Sequence, residues 1–466
     1  MGYLFTIFLA LTGTAFGWLN PFYGLMVYFT FAILRPELLW WWAFPGGARL
    51  SQMVAISTLI GWVIKGLPFD LFQRKTILAP LYAYTLFVFV GVLATFFWAL
   101  NTNVAWASHE YIVKGWLMGW VAVTTIRTAR EIKIFAIVIF ASLAYVAYVY
   151  NFHWIVEGIN KFQTGNGGIH GDNNNMALTF VIGVPLGLFL AIYLKPIWAK
   201  GLCVLGVLFL IHAVLFSFSR GGMLGLIAVA MGILVVALLM LPRKGLTLAL
   251  AASAIAIGIR LAGPEVRDRF WSTFVDEDVR DASAQSRVDL WRDAWDSMLK
   301  NPEGLGPRNF PLIAHRYGWE YGKLIHSLYF QVGADYGFVG VISLVFFYVW
   351  IVWNCFHAAR RCRDPDLEWV RYYAISVCIG LCGFLTCATF LSCDRLEPPV
   401  LLAILGVCTI GYLKELPAKR DAMGEVGVDP GDADRAIAAN ESSGGREGSG
   451  LDGLGSGHPD VAITRS

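Results

Sequence analysis

Apolar segments of membrane-crossing length recur along almost the whole chain, and they are interrupted once at length, by a polar stretch rich in Arg, Asp and Trp between Gly263 and Ile325. A helix needs about 20 apolar residues to cross hydrocarbon and satisfies its own backbone groups there, whereas a transmembrane strand needs short alternating runs. The runs here are continuous, so the sequence predicts an all-α, polytopic membrane protein. Composition agrees: 57% of the 466 residues are hydrophobic and 15% are charged, too few polar side chains to clothe a soluble body of this size. The formal charge of +3 says little about partners, and no nucleic acid is expected. The N-terminus has no basic region followed by a small-residue cleavage site, and it is expected to stay as a membrane segment.

The pattern places apolar helices near 4–19, 21–34, 50–65, 77–99, 108–126, 132–150, 175–194, 201–217, 222–241, 246–262, 333–357, 370–392 and 397–413. Asn20-Pro21 breaks the first two, because proline lacks an amide hydrogen and blocks the preceding turn. Each of the two is short for a crossing, so about 12 or 13 crossings both fit. Lys and Arg fall on alternate short connections, at Lys65–Lys75, Arg127–Lys133, Lys195–Lys200, Arg243–Lys244, Arg360–Arg371 and Lys414–Arg420. The positive-inside rule makes these cytoplasmic and sends the 151–174 loop, the Ser219-Arg220-Gly221-Gly222 turn and the 263–325 loop to the external face. Residues 1–416 are expected to form the membrane domain. From 417 to 466 the chain becomes Gly-, Asp-, Ser- and Glu-rich, the composition of a disordered cytoplasmic tail.

Ionisable groups near hydrocarbon are costly and mark functional positions. His109, Glu110, Lys114, Asp172, His212, Arg220, Asp335, Asp394, Arg395 and Glu397 all fall toward the external ends of their helices. A transporter needs polar groups at mid-depth, so this one-sided distribution fits chemistry at the outer leaflet better. Lys114 and His212 are the positions that ordinary clustering of charge at helix ends explains least.

Within the long loop, Ser286-Arg287-Val288-Asp289 has the form of a helix start. Val288, Trp291, Trp295, Met298 and Leu299 then recur at helical spacing, a stripe suited to lying on the bilayer or docking against the bundle. In a first turn, Arg287 and the unpaired amides would together favour a phosphate; pairing of Arg287 with a neighbouring Asp fits as well. Gly304 and Gly306 read as a turn, since no strand precedes them to make a phosphate-binding loop. His326-Ser327-Leu328-Tyr329 leads into a helix that re-enters the membrane, and a histidine at that boundary can accept a proton or hold a hydroxyl. Asp335 stands more than two helical turns further on and reads as structural. The eight cysteines lie in or beside apolar segments without CxxC spacing, and no cluster has metal-ligand spacing, so neither disulfides, a metal nor another cofactor is expected.

Ser219-Arg220-Gly221, Arg287-Val288-Asp289-Leu290-Trp291, Asn301-Pro302-Glu303-Gly304-Leu305-Gly306, His326-Ser327-Leu328-Tyr329 and Gly337-Phe338-Val339-Gly340, in this order, resemble the O-antigen ligase and polymerase superfamily. In the first half, Arg35-Pro36-Glu37-Leu38-Leu39-Trp40 and Asp172-Asn173-Asn174-Asn175-Met176-Ala177 resemble its exosortase-associated O-glycosylation ligase branch. The resemblance implies a GT-C-like glycosyltransferase of the bacterial inner membrane that takes a glycan from undecaprenyl diphosphate at the periplasmic face. The acceptor would be a hydroxyl on a protein, lipid or glycan. It further implies diphosphate binding by Arg220 and Arg287 and a catalytic role for His326. Ser327 departs from the pattern, in which Asn often follows the histidine. A lipid diphosphate is already an activated leaving group, which agrees with the absence of Rossmann and Walker patterns. A ligase leads among the readings, with a polymerase extending lipid-linked repeats and a polysaccharide or lipid transporter behind it.

Overall fold

The computed structural model describes residues 2–40, 43–44, 49–66, 74–162, 172–240, 244–245, 260, 263–271, 282–362 and 364–425. Ten helices come first in chain order: α1 (Gly2–Gly17), α2 (Pro21–Leu34), the single turn α3 (Pro36–Leu39), α4 (Leu50–Ile64), α5 (Lys75–Leu93), α6 (Thr102–Thr125), α7 (Ala129–Glu157), α8 (Asn173–Tyr193), α9 (Ile197–Phe216) and α10 (Arg220–Met240). The long loop contributes α11 (Gly263–Trp271), α12 (Ala282–Lys300) and the short α13 (Phe310–Ile313), and α14 (Leu328–Arg361), α15 (Glu368–Ala388) and α16 (Glu397–Glu425) close the chain. No strand occurs among the described residues.

Twelve of the expected apolar segments are helices at their expected places; the one near 246–262 falls largely outside the described residues. Nine described helices are long and apolar enough to cross a membrane. The chain is an all-α polytopic membrane protein. α1 and α4 are apolar but shorter, at 16 and 15 residues. α6 has the length, at 24 residues, but it carries His109, Glu110 and Lys114. The helix ends follow local chemistry. Asn20 accepts the Phe22 amide ahead of Pro21, Thr128 and Glu131 form a reciprocal capping box at α7, and Gly158 ends α7 at a φ of 66°. α16 continues through Pro417 to Glu425, and the remainder of the expected tail, 426–466, lies outside the described residues.

α8 is the most buried of the spans and packs against α9, α10 and α15. α14 lies between α5 and α15. α1, α2 and α4 meet where Gly17, Gly24 and Gly61 bring backbones together, with Gly24 also against Thr58, so a side chain at these positions would separate the helices. α12 does dock on the bundle. Leu290, Ala294 and Met298 are buried against α14, where Gly333 leaves room for Met298. The expected stripe is thus divided: Trp291 and Met298 turn inward, while Val288, Trp295 and Leu299 form an exposed apolar row.

Candidate functional site

Three segments distant in sequence meet at one end of the bundle. α8 is capped by Asp172, whose Oδ1 accepts the Asn174 and Asn175 amides, each at 2.8 Å. The capped turn reaches across to the start of α10: Asn173 Nδ2 donates to the Ser217 carbonyl at 2.8 Å, and Ser219 Oγ donates to Asn174 Oδ1 at 2.7 Å. Arg220 is the first residue of α10, so this brace fixes its backbone beside α8. The next residue, Gly221, faces Phe390, whose Cβ would lie 3.6 Å from a Cβ placed there. The Phe390 ring is 6.0 Å from Trp291, and Trp291 stacks on Phe330 at 5.7 Å. Trp291 stands one turn beyond Arg287 and Phe330 one turn beyond His326. The segments bearing Arg220, Arg287 and His326 are therefore joined through three aromatic rings.

One local expectation is corrected. α12 begins at Ala282, not at Ser286, which places Arg287 in the second turn, away from the unpaired amides. The run Ala282-Ser283-Ala284-Gln285 ahead of the expected cap has enough helix propensity to carry the helix backward past it. Arg287 therefore acts through its guanidinium alone. Its field is felt at His326: burial first, and then the positive charges of Arg287 and Lys323, lower the imidazole from its ordinary 6.5 to about 4, against an opposing pull from Asp172. At neutral pH the ring is uncharged, with a nitrogen lone pair available to a proton.

His326 adopts the left-handed backbone region, with φ 56°, a conformation that costs a non-glycine residue about 1–3 kcal/mol unless its surroundings enforce it. The enforcement is a buried polar chain. The His326 amide donates to Ser392 Oγ at 3.0 Å, Ser392 Oγ donates to Gln331 Oε1 at 3.1 Å, and Gln331 Nε2 donates to Asp335 Oδ2 at 2.7 Å. Gln331 Oε1 also accepts the Ile325 amide at 3.2 Å, and Asp335 Oδ1 accepts the Phe310 amide at 3.0 Å. Asp335, two turns from His326 along the helix, is connected to it through Gln331 and Ser392. Asp335→Ala would leave the Phe310 amide and the Gln331 side-chain amide buried without acceptors, at about 1–3 kcal/mol each. The expected outcome is a clear fall in melting temperature of the purified protein; an unchanged value would mean that this chain does not hold the segment.

The turn reading of Gly304 and Gly306 agrees with the geometry. Both have positive φ, 86° and 92°, and the amides of Leu305 and Gly306 donate to the carbonyls of Ala334 and Asp335 at 2.9 and 2.8 Å. Those amides are not available to a phosphate. His212 is enclosed by aromatic rings, 4.2 Å from Phe216 and 4.8 Å from Trp154. His109 contacts the Val88 carbonyl at 2.9 Å and the Tyr336 hydroxyl at 3.2 Å, and Lys114 pairs with Glu110 one turn away. His109 and Lys114 thus have polar structural partners, while His212 is held by ring packing and its Nδ1 is buried without a hydrogen-bond partner. Among the described residues no group of three His, Cys, Asp or Glu could hold a metal ion.

Sequence reasoning passed over Ser392, Gln331 and Arg308. Arg308, itself at φ 58°, donates through Nη2 to Asp394 Oδ1 at 3.1 Å, with the Asp394 side chain 1% exposed. Asp394 stood out as a charge in the last external turn, but nothing in the sequence pairs it with position 308.

Residues 205–345 match the family model described as O-Antigen ligase. This segment is similar to the O-antigen ligase family. Among curated proteins none matches the chain. The matched segment holds Arg220, Arg287, His326, Gln331 and Asp335, while Asp172 and the three asparagines after it, Phe390 and Ser392 come from the flanking helices and turns. The candidate site is thus completed from outside the matched segment.

Proposed function

We propose that the chain is a glycosyltransferase that moves a glycan from an undecaprenyl diphosphate carrier to an acceptor hydroxyl, at the periplasmic face of a bacterial inner membrane. The observation that supports this most is a histidine held uncharged in an enforced backbone conformation, within the field of Arg287 and inside the segment similar to the O-antigen ligase family. In the proposed reaction an imidazole nitrogen of His326 takes the acceptor hydroxyl proton as the oxygen attacks the anomeric carbon. The bond from that carbon to the diphosphate oxygen breaks, and the electron pair leaves with the diphosphate. Arg220 and Arg287 offset the charge that develops on it, a role for guanidinium forks matched to phosphate oxygens. His326 then returns its proton to solvent. The resemblance of the first half to the exosortase-associated branch directs the acceptor toward O-glycosylation.

The test supplies lipid-linked glycan to membranes containing the full chain and follows where the glycan goes. Transfer to a new acceptor supports the ligase; lengthening on the carrier makes it a polymerase, and passage across the bilayer without a new bond makes it a transporter. Chelating agents are expected to leave transfer unchanged, and loss of transfer restored by one particular cation would add a metal that this mechanism does not contain.

A further inference from the structure

Next to Ser392 lies a cleft of about 590 Å³ that neither Arg220, Arg287 nor His326 lines. Its walls include Arg35, Arg308, Arg395, Tyr111, Asn175 and Ser392, three guanidinium groups and no carboxylate. Arg308 is paired with Asp394, and Arg35 Nη2 lies 3.5 Å from Glu397 Oε2. Arg395 forms no hydrogen bond or ion pair with any described residue. Nε of Arg35, Nε of Arg308 and Oδ1 of Asn175 are buried there without hydrogen-bond partners. Two of the three guanidinium groups have an acid behind the wall, but Arg395 has none and the Nε donors of Arg35 and Arg308 are unmet, which calls for an anion with several acceptor oxygens, the chemistry of a phosphate.

The cleft continues, through Arg35 and Tyr111, into an apolar groove of about 880 Å³. The groove is walled by Phe31 of α2, by Ala55, Ile56 and Leu59 of α4, and by Leu117 and Met118 of α6. Of its charged side chains, Arg35 pairs with Glu397 and Lys114 with Glu110, and Glu37 stands beside Arg35. From Ser51 to Leu59 it follows α4 for about 12 Å, most of the depth of one hydrocarbon leaflet. Ile56 is 50% exposed and belongs to the outward row of Met53, Ile60 and Val63 on α4, so the groove opens sideways toward lipid. An anionic head site leading into a laterally open apolar groove has the form of an amphiphile.

We propose that cleft and groove together bind an anionic phospholipid of the surrounding bilayer, its phosphate on Arg395 with Arg35 and Arg308 and a hydrocarbon chain between α2, α4 and α6. The site is separate from the donor site and does not depend on the transfer reaction. Five of the six cleft residues named above lie outside the O-antigen ligase segment, so that segment does not account for it.

The test delipidates the purified full chain, offers phosphatidylglycerol and phosphatidylcholine together, and counts retained lipid by native mass spectrometry. Phosphatidylglycerol is expected to be retained in preference. Arg395→Ala, which breaks no existing ion pair, is expected to weaken that retention roughly tenfold, the loss of one charge-assisted contact. Ile56→Trp, at the other end of the site, is expected to weaken it by filling the groove. Because the two variants alter separate parts of the fold, the turn before α16 and the middle of α4, misfolding of one, read from its melting temperature, leaves the other to decide. Equal retention of the two lipids, or unchanged retention in the folded variants, overturns the proposal. A third arm adds a polyprenyl diphosphate. If it displaces phosphatidylglycerol and its own binding is lost in Arg395→Ala but kept in Arg220→Ala, the cleft is the donor's place and the proposal fails.

Discussion

Replacing His326 with alanine is expected to reduce transfer by about 10²- to 10⁴-fold, the ordinary contribution of a positioned general base, with donor binding and melting temperature nearly unchanged. The separation follows from the proposed division of labour, in which Arg220 and Arg287 would hold the diphosphate and the imidazole would act on the hydroxyl. Alanine at φ 56° retains the backbone cost, so His326→Asn is the better-matched control, since asparagine tolerates the left-handed region and supplies no comparable base. Near-normal transfer in both variants would remove His326 from the chemistry. Parallel loss of transfer and melting temperature in alanine, but not in asparagine, would assign the alanine defect to the backbone.

The same residue fixes a pH signature. With the imidazole lowered to about 4 by burial and by Arg287 and Lys323, kcat/KM is expected to stay level from neutrality down through the ordinary histidine range and to fall only as pH approaches 4. An acid limb near 6.5 would contradict the placement of those charges. The stability effect has the corresponding sign. As pH falls below 6.5 the unfolded chain takes up this proton first, the folded chain only near 4, so stability declines through that interval and is recovered as pH rises.

Arg220→Ala and Arg287→Ala are each expected to lower transfer by about 10²- to 10³-fold, the scale of losing one donor aimed at developing negative charge. Lysine at either position is expected to restore only part of the rate, because an ammonium supplies charge without the planar fork. Both effects belong in kcat as well as KM, since charge on the diphosphate is greater in the transition state than in the bound donor. Normal turnover of both alanine variants at normal abundance would end the diphosphate assignment. The arginines are carried on separate helices, α10 and α12, joined through Phe390 and Trp291. Phe390→Ala therefore offers a way to disturb their relative placement without altering charge.

The helices were legible because hydrocarbon imposes one length and one polarity on every span, so the apolar runs near 77–99, 132–150 and 175–194 are helices where the sequence puts them. Arg220, Arg287 and His326 stood out in ordered motifs, and the structure brings the segments that carry them to one end of the bundle. What could not be read was the set of contacts that positions them. The His326 amide finds Ser392, and Arg308 finds Asp394, across separations that only the packing of α14 and α15 closes. The start of α12 was misplaced because a favourable cap at Ser286 competes with a favourable helix before it, and local chemistry gives no ranking between the two. The left-handed φ of His326 has no sequence signal either, since glycine and asparagine are the residues that ordinarily mark it.

The break in α14 changes how the reactive end relates to the bilayer. A helix of 34 residues is about 51 Å long, well beyond the roughly 30 Å of hydrocarbon, and an unbroken rod of that length would carry every tilt of its membrane part to its tip. At Gly337, where φ is 70° and ψ is −174°, the rod is interrupted. The Phe338 amide donates instead to the Pro302 carbonyl at 3.0 Å, and the carbonyls of Ala334 and Asp335 are taken by the loop. Residues 328–336 thus carry the loop layer above while packing on the bundle through Leu328, Val332 and Tyr336. Hydrophobic mismatch, as bilayer thickness varies, can be absorbed by tilting of the lower half about the glycine. The backbone that follows His326 is then tied to the loop on one side and to α5 and α15 on the other, and the bend at Gly337 lets the lower half take its own tilt.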